Sequence, residues 1–197
     1  MTTTGDHAAN IIYVMGPSGA GKDTLLAYAR AHVDPTRIIF AHRYITRSAD
    51  AGAENHVALS ETEFAARQSA GLFALSWESH GFRYAIGVEI DLWLDRGVVV
   101  VVSGARAAWQ AAMQRYRDAI GVVISAPGDV RAARLAQRGR EDEAAIRARL
   151  AREIPMHAAG GKVYHVDNSG PLAVAGEILV GLLRDTVNTF VAPGPWQ

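Results

Sequence analysis

The chain of 197 residues contains no cysteine, which excludes disulfide bonds, thiolate zinc sites and a cysteine nucleophile. Charge of one sign is not in excess either, because 20 basic residues balance 20 acidic ones, so no general field attracts nucleic acid or an anionic membrane. No apolar run reaches the ~20 residues that a membrane-spanning helix needs. Residues 1–9 lack the basic and apolar segments of a signal peptide. We therefore expect a soluble, cytoplasmic protein with neither a nucleic-acid nor a membrane partner.

Lysine is also scarce in this sequence. Lys22 and Lys162 are the only lysines, so the other 18 of the 20 basic residues are arginines. A guanidinium group matches phosphate with two parallel hydrogen bonds and keeps its charge at every physiological pH. Codon bias in a GC-rich genome would also replace lysine by arginine. Composition leaves both explanations open, so the positions of the arginines must decide between them.

Short apolar runs alternate with helical patterns along the chain, which is typical of an α/β fold with a parallel sheet. The predicted strands of a five-stranded sheet are residues 11–15, 37–41, 98–102, 120–125 and 162–166. The predicted helices are residues 23–32, 105–116, 129–137, 141–153 and 172–187. Residues from about 43 to 90 break this rhythm, with a helical pattern at 61–70 and strand patterns at 72–77 and 82–86. We interpret them as an insertion into a single domain that spans residues 1–197.

A phosphate-loop pattern, G-x-x-x-x-G-K, follows the first predicted strand and precedes the first predicted helix. Its residues are Gly16, Pro17, Ser18, Gly19, Ala20, Gly21 and Lys22. Glycines let such a loop turn its N–H groups inward at a helix N-terminus, where they bind anions. The lysine adds a positive charge that reaches the β- and γ-phosphates of a nucleotide. The pattern therefore predicts a P-loop nucleotide-binding fold, with Lys22 in a catalytic role.

The position after the lysine departs from the usual pattern. A serine or threonine normally places its hydroxyl on Mg²⁺ there, whereas this chain has Asp23, followed by Thr24. The valine-rich strand ends at Ser103-Gly104, without the acidic residue that often holds the metal from a neighbouring strand. A carboxylate is a good oxygen ligand for Mg²⁺, so Asp23 is a candidate metal ligand. The alternative is that Asp23 is only a favourable acid in the first turn of a helix.

Arg43 and Arg47 follow the second predicted strand, at the start of the insertion. The carboxyl ends of parallel strands border the ligand crevice in open α/β sheets. Both arginines are therefore candidates for binding a second phosphorylated molecule that faces the nucleotide. The alternative is a solvated surface pair.

A second group of arginines lies between about residues 128 and 152. Arg131, Arg134 and Arg138 are spaced by three and four residues, which places them on one helical face. Gly139 interrupts the helical pattern, and a further helical pattern follows. We interpret this hairpin as a helical lid whose positive face closes over the transferred phosphates. An exposed face of arginine–glutamate pairs is the alternative.

Several motifs together resemble the guanylate-kinase-like family over nearly the whole chain. They are Gly16–Lys22 with Thr24, Thr46-Arg47, Glu61–Phe64, Gly81-Phe82-Arg83-Tyr84, and the segment from Arg134–Arg138 to Arg149-Leu150. One branch, the ribose 1,5-bisphosphate phosphokinases of phosphonate catabolism, is more similar. It shares the G-K-D start of the helix, the segments Arg43–Arg47 and Ala53–His56, the stretch Trp77–Gly87 and a strand ending like Val102–Arg106.

This resemblance implies a kinase that uses ATP and Mg²⁺ to phosphorylate ribose 1,5-bisphosphate to 5-phospho-α-D-ribose 1-diphosphate. It implies that Arg47 and Tyr84 hold a substrate phosphate and that His56 replaces a phosphate-contacting tyrosine. It further implies roles in binding ATP phosphates or the transferred group for Lys22, Arg134, Arg138 and Arg149, and a place for Asn168 near the adenine. A guanylate kinase and a non-catalytic interaction module of the same fold are the alternatives, although the intact phosphate loop argues against the module.

Overall fold

The computed structural model describes residues 10–48, 56–137, 150 and 161–189, which form two β-sheets with flanking helices. The strands are β1 (Ile11–Met15), β2 (Ile38–Phe40), β3 (Arg43–Ile45), β4 (His56–Ala58), β5 (Phe73–Ser79), β6 (Phe82–Gly87), β7 (Val99–Ser103), β8 (Ile120–Ser125) and β9 (Lys162–Asp167). The helices are α1 (Lys22–His32), α2 (Glu61–Ser69), α3 (Glu89–Asp95), α4 (Trp109–Arg115), α5 (Gly128–Gln137) and α6 (Leu172–Thr189), and a 3₁₀ turn (Arg106–Ala108) precedes α4.

The first sheet is parallel, with the strand order β2-β7-β1-β8-β9. Every residue of β1 and of β7 is buried, because helices cover both faces of the sheet. Helices α1 and α6 pack on one face, where Leu25 and Leu179 meet the side chain of Val14 in one apolar cluster. Helices α3 and α4 pack on the other face. The predicted α/β fold with a five-stranded parallel sheet is confirmed.

The second sheet has the order β4-β3-β6-β5 and is built from the segment that we interpret as an insertion. Strands β3 and β4 are parallel, whereas β6 is antiparallel to both β3 and β5. Helix α2 covers one face of this sheet, and its Phe64 ring lies 4.7 Å from the ring of Phe73. Ser60 caps the helix by accepting a hydrogen bond from the Glu63 N–H at 3.1 Å. Tyr84 lies on the other face, on the same side as Arg43, whose guanidinium is 5.9 Å from the centroid of the Tyr84 ring.

Some elements differ from those predicted. Strands β3 and β4 and helix α3 had no counterpart in the sequence pattern, because elements of three and seven residues are too short to show a period. The predicted helix 105–116 is a 3₁₀ turn followed by α4. The predicted helix 141–153 lies outside the described residues, apart from residue 150. Within the described ranges, no helix has the length and apolar character needed to cross a membrane.

Candidate active site

The phosphate loop connects the buried end of β1 to the first turn of α1. Gly21 caps the helix in a left-handed conformation with φ of 82°, which L-residues with a side chain adopt only with strain. A Cβ atom at Gly21 would also lie 2.4 Å from Nδ2 of Asn168. Within the loop, the Pro17 carbonyl accepts a hydrogen bond from the Ala20 N–H at 3.2 Å. The motif thus forms the strand–loop–helix geometry that phosphate binding requires.

Two residues that we predicted to bind the nucleotide form hydrogen bonds to the backbone at the phosphate loop. The Asn168 side chain donates from Nδ2 to the Ala20 carbonyl at 2.7 Å. Arg134 donates to the same carbonyl at 3.4 Å and to the Asn168 carbonyl at 2.8 Å. Asn168 follows β9 and is only 3% exposed. Both side chains therefore contact the peptide backbone of the loop, and through it they fix where the loop N–H groups point.

Arg131, which we expected on the positive face of a lid, lies beside the phosphate loop. It is only 6% exposed, and its backbone carbonyl would lie 2.8 Å from a Cβ atom at Gly19. Helix α5 therefore packs Arg131 closely against the loop. Arg138 and Arg149, the two arginines predicted to be catalytic, lie outside the described residues.

Lys22 and its neighbours form a cluster of charged and polar groups beside the loop. The Lys22 ammonium donates to Oγ of Ser103 at 2.6 Å and lies 3.2 Å from Oδ1 of Asp23. The guanidinium of Arg43, on β3, lies 3.6 Å from the same Asp23 oxygen. The Lys22 and Arg43 side chains are 14% and 10% exposed, so both cations are held in a largely buried environment. Thr24, the next residue of α1, is exposed.

The predicted acceptor-binding residues come together on the second sheet. Arg43 is in register with His56 on the neighbouring strand β4. The Arg43 guanidinium lies 5.9 Å from the ring centroid of Tyr84. That of Arg47 lies 5.9 Å from the ring centroid of Phe82. Because the Arg43 guanidinium also lies 3.6 Å from Asp23, this face of the second sheet faces the phosphate loop. We call this face the acceptor wall of the cleft, and the phosphate loop with Lys22 the nucleotide wall.

Tyr84 is supported by an aromatic neighbour on β5. The Trp77 ring stacks on the Tyr84 ring, with centroids 5.6 Å apart and planes inclined by 6°. The two residues are directly opposed in the antiparallel pair of β5 and β6. Such cross-strand aromatic pairs restrain both rings. The position of the Tyr84 phenol in the cleft is therefore fixed by the sheet and by Trp77.

Two residues at the end of β7 and on β1 were missed as contributors to the site. Ser103, the last residue of β7, contacts Lys22, and the fully buried Tyr13 donates from its hydroxyl to the Ala105 carbonyl at 2.9 Å. Burial raises the pKa of Tyr13 far above its usual value, so its hydroxyl stays protonated and remains a donor. A polar residue at the carboxyl end of a buried strand next to β1 was the signal that could have identified Ser103.

The oxygen ligands near the loop fit a magnesium site of the kind that substrates complete. The described part of the chain contains no group of three or more His, Cys, Asp or Glu side chains that could enclose a metal ion. Mg²⁺ in kinases is commonly held by one or two carboxylates together with water and substrate phosphates. Asp23, beside Lys22, is a carboxylate of this type.

Comparison with known proteins agrees with this geometry. Residues 12–154 match the profile of a family described as AAA domain. A ribose 1,5-bisphosphate phosphokinase PhnN from Burkholderia mallei is 59% identical over 178 residues, which cover 90% of this chain and 96% of that protein. A protein of the same name from Desulfomicrobium baculatum is 52% identical over 179 residues, with 90% and 96% covered.

Solved structures share the fold at low identity. A guanylate kinase from Anaplasma phagocytophilum superposes with a TM-score of 0.66 at 16% identity, covering 90% of this chain and 86% of its own. A sugar kinase from Janibacter sp. superposes with a TM-score of 0.51 at 17% identity, covering 89% and 95%. These likenesses concern the fold alone, whereas the sequence relatives match over a similar length at 52–59% identity. The resemblance inferred from the motifs is confirmed, and the chain belongs to the ribose 1,5-bisphosphate phosphokinase family, whose members are P-loop kinases with a guanylate-kinase-like fold.

Proposed function

We propose that the protein transfers the γ-phosphoryl group of ATP to ribose 1,5-bisphosphate and forms 5-phospho-α-D-ribose 1-diphosphate and ADP. The observation that carries this proposal is that one cation from each wall of the cleft lies beside the same carboxylate, that of Asp23. Lys22 on the nucleotide side and Arg43 on the acceptor side lie 3.2 and 3.6 Å from one oxygen of Asp23. Phosphate groups bound by each cation would therefore be neighbours, as phosphoryl transfer requires.

The chemistry needs little more than positioning and charge. An anionic oxygen of the phosphate at C1 attacks the γ-phosphorus, and a new P–O bond forms. The bond from the γ-phosphorus to the β,γ-bridging oxygen breaks, and ADP leaves with that electron pair. The attacking oxygen is already ionised near neutral pH, so no general base is required. Catalysis then depends on fixed cations and on the alignment of the two phosphates.

The residues divide this work between the walls of the cleft. The N–H groups of the loop residues Gly16, Ser18, Gly19 and Gly21, together with the Lys22 ammonium, hold the nucleotide phosphates. Asn168 and Arg134 act on the nucleotide through the Ala20 carbonyl that both contact. The acceptor phosphates are bound by the polar groups of the second sheet, namely Arg43, Arg47, His56 and Tyr84. Arg138 and Arg149 are the proposed cations for the transferred group.

Mg²⁺ bound beside the loop would supply further neutralisation of the charge on the ATP phosphates. Asp23 is the proposed ligand, because it is a carboxylate in the first turn of α1, next to the phosphate-loop lysine. Thr24 offers a hydroxyl on the same turn. The Asp23 contact to Lys22 and Arg43 keeps the carboxylate at the boundary between the nucleotide and the acceptor.

A substrate comparison tests the proposal directly. The protein is incubated with ATP and Mg²⁺ and with ribose 1,5-bisphosphate, GMP or ribose 5-phosphate, while ADP release is followed. Phosphorus-31 NMR identifies the product, because a 1-diphosphate gives two coupled resonances that the bisphosphate lacks. We expect turnover with ribose 1,5-bisphosphate. Faster turnover of GMP would instead assign a nucleoside monophosphate kinase, and release of ADP without acceptor phosphorylation would contradict the proposal.

Two arginine variants test the acceptor wall. Arg43→Ala removes a largely buried guanidinium that faces the cleft, and we expect the KM for ribose 1,5-bisphosphate to rise by about 10- to 100-fold. Arg37→Ala is the matched control, because Arg37 is exposed and precedes β2 on the outside of the cleft. Equal effects of the two substitutions on KM would exclude Arg43 from acceptor binding.

A further inference from the structure

No motif described above assigns a role to Ser103, yet its side chain lies beside the phosphate-loop lysine. It is the last residue of β7, the strand that pairs directly with β1, and it is only 8% exposed. Its hydroxyl accepts a hydrogen bond from the Lys22 ammonium at 2.6 Å, a shorter contact than the 3.2 Å between Lys22 and Asp23. The end of a second strand thus contacts the lysine of the phosphate loop.

The backbone around Ser103 is held firmly, so its hydroxyl occupies a fixed position. Ser103 is in register with Val14 on β1, and the next N–H, of Gly104, donates to the Val14 carbonyl at 3.0 Å. Gly104 lies against Tyr13, because a Cβ atom at Gly104 would come within 2.0 Å of the phenol oxygen. The Tyr13 hydroxyl in turn donates to the Ala105 carbonyl at 2.9 Å. Residues 103–105 therefore form a rigid support beside the loop.

The chemistry of the hydroxyl suits a lysine that must attract phosphate. A hydroxyl oxygen accepts a hydrogen bond from an ammonium group without neutralising it, whereas a second carboxylate at this depth would pair with the cation and reduce its attraction for phosphate. Long lysine side chains also lose considerable rotamer entropy when they are ordered. A fixed neutral acceptor restricts the lysine before the nucleotide binds and leaves its charge in the cleft.

We propose that Ser103 is a positioning residue for Lys22: its hydroxyl fixes the lysine ammonium beside the phosphate loop and leaves its positive charge available to the transferred phosphoryl group. The kinetic part of this proposal rests on the proposed kinase function. The structural part, the restraint of Lys22 by Ser103, is independent of the identity of the acceptor.

Kinetics of three variants test the role in turnover. Ser103→Ala removes the acceptor, and we expect kcat to fall about tenfold while the KM for the acceptor sugar changes less than about twofold, since Lys22 acts on the nucleotide side. Ser103→Thr retains the hydroxyl in a β-branched residue that suits a strand, and we expect it to restore most of kcat. An unchanged kcat in Ser103→Ala would overturn the proposal.

Ser125→Ala is the matched control for these measurements. Ser125 is also a serine at the carboxyl end of a strand, the neighbouring β8, and its backbone carbonyl accepts a hydrogen bond from the Asn168 N–H that alanine preserves. We expect wild-type kcat for this variant. A loss in Ser125→Ala equal to that in Ser103→Ala would show that any serine at this edge has the same effect, and it would overturn the specific role of Ser103.

NMR of the lysine side chains tests the restraint without any turnover. Since Lys22 and Lys162 are the only lysines, protein labelled with ¹³C at the lysine ε-carbon gives signals from two side chains, which Lys162→Arg assigns. Lys162 is exposed at the start of β9, at the opposite end of the sheet from the loop, and serves as the internal reference. We expect a high order parameter for the Lys22 ε-carbon in the wild type and in Ser103→Thr, and a lower one in Ser103→Ala.

The kinetic and NMR measurements together distinguish failure of the Ser103 proposal from failure of the proposed kinase function. A Lys22 order parameter that Ser103→Ala leaves unchanged would overturn the proposal even if the kinase reaction is confirmed. A fall at Lys22 with no change at Lys162 would support the restraint even if the physiological acceptor were another phosphorylated compound. A fall at both lysines would indicate general loosening of the fold and would also overturn the specific role.

Discussion

Replacing Asn168 by alanine removes the side-chain amide that donates a hydrogen bond to the Ala20 carbonyl of the phosphate loop. The bond from Nδ2 to the Ala20 carbonyl is 2.7 Å long and is shielded from water. Loss of one such bond lowers the free energy of unfolding by about 0.5–1.5 kcal/mol. The buried Oδ1 of Asn168 has no hydrogen-bond partner, so its removal offsets part of that loss. We expect a net cost below about 1 kcal/mol, which lowers Tm by no more than about 2–4 °C for a chain of this length.

The same substitution should weaken nucleotide binding more clearly than it weakens the fold. Without Nδ2, the Ala20 carbonyl keeps only the longer contact of 3.4 Å to Arg134. The peptide between Ala20 and Gly21 is then less restrained, and its N–H group is part of the anion-binding loop. We expect the affinity for ADP to fall by about 5- to 10-fold, which at saturating ADP removes about 1–1.4 kcal/mol of ligand-induced stabilisation. Thermal unfolding with and without ADP and Mg²⁺ measures this difference as a reduced shift in Tm.

Asn10→Ala is the matched control for this experiment. Asn10 is 8% exposed and also has a buried Oδ1 without a partner, but it precedes β1 at the end of the sheet away from the loop. We expect this variant to change Tm and to keep the wild-type shift with ADP. The reasoning would be refuted if Asn168→Ala kept the full shift, or if Asn10→Ala lost it to the same extent.

Three further substitutions test the loop, the metal ligand and the core. Gly21→Ala should lower the stability by at least about 1–2 kcal/mol, because φ is 82° and the new Cβ would lie 2.4 Å from Nδ2 of Asn168; an unchanged denaturant midpoint would contradict this. Asp23→Asn should raise the Mg²⁺ concentration for half-maximal rate by about tenfold, and unchanged Mg²⁺ dependence and turnover would exclude Asp23 as a ligand. Trp109→Ala should cost about 3–5 kcal/mol in urea unfolding, because this ring is 3% exposed and packs 5.4 Å from the Tyr13 ring; a loss below about 1 kcal/mol would show that the site collapses freely.

The parallel sheet and the phosphate loop could be predicted because their signals are local. Strands such as Ile11–Met15 and Val99–Ser103 are buried on both faces, so the requirement for burial appears directly as a continuous apolar run. The loop could be predicted for a similar reason. Position 21 needs a residue that tolerates a positive φ before the helix begins at Lys22, and glycine is that residue. In both cases the residue type is set by a local requirement, burial of the strand or a positive φ in the loop, and can therefore be recognised from neighbouring positions in the sequence.

The second sheet and parts of the site depend on partners that are distant in the sequence. Strand β3 has three residues and exists because Tyr44 pairs with Ala85 on β6, more than forty positions away in the numbering. The arginine spacing in α5 correctly places Arg131 and Arg134 on one helix, but spacing alone does not show which face packs against the loop. The hydroxyl of Ser103 is a polar group with no motif, and its role follows only from the Lys22 ammonium beside it.

The neutrality of the whole chain conceals how charge is arranged in the cleft. Lys22 on helix α1 and Arg43 on strand β3 of the second sheet would repel each other without an anion between them, and Asp23 supplies that anion at 3.2 and 3.6 Å. Phosphates that bind at either wall compete with this carboxylate for the same cations. An acid at position 23, in place of a hydroxyl residue, thus holds the two cations beside one oxygen atom, which a neutral side chain would do more weakly.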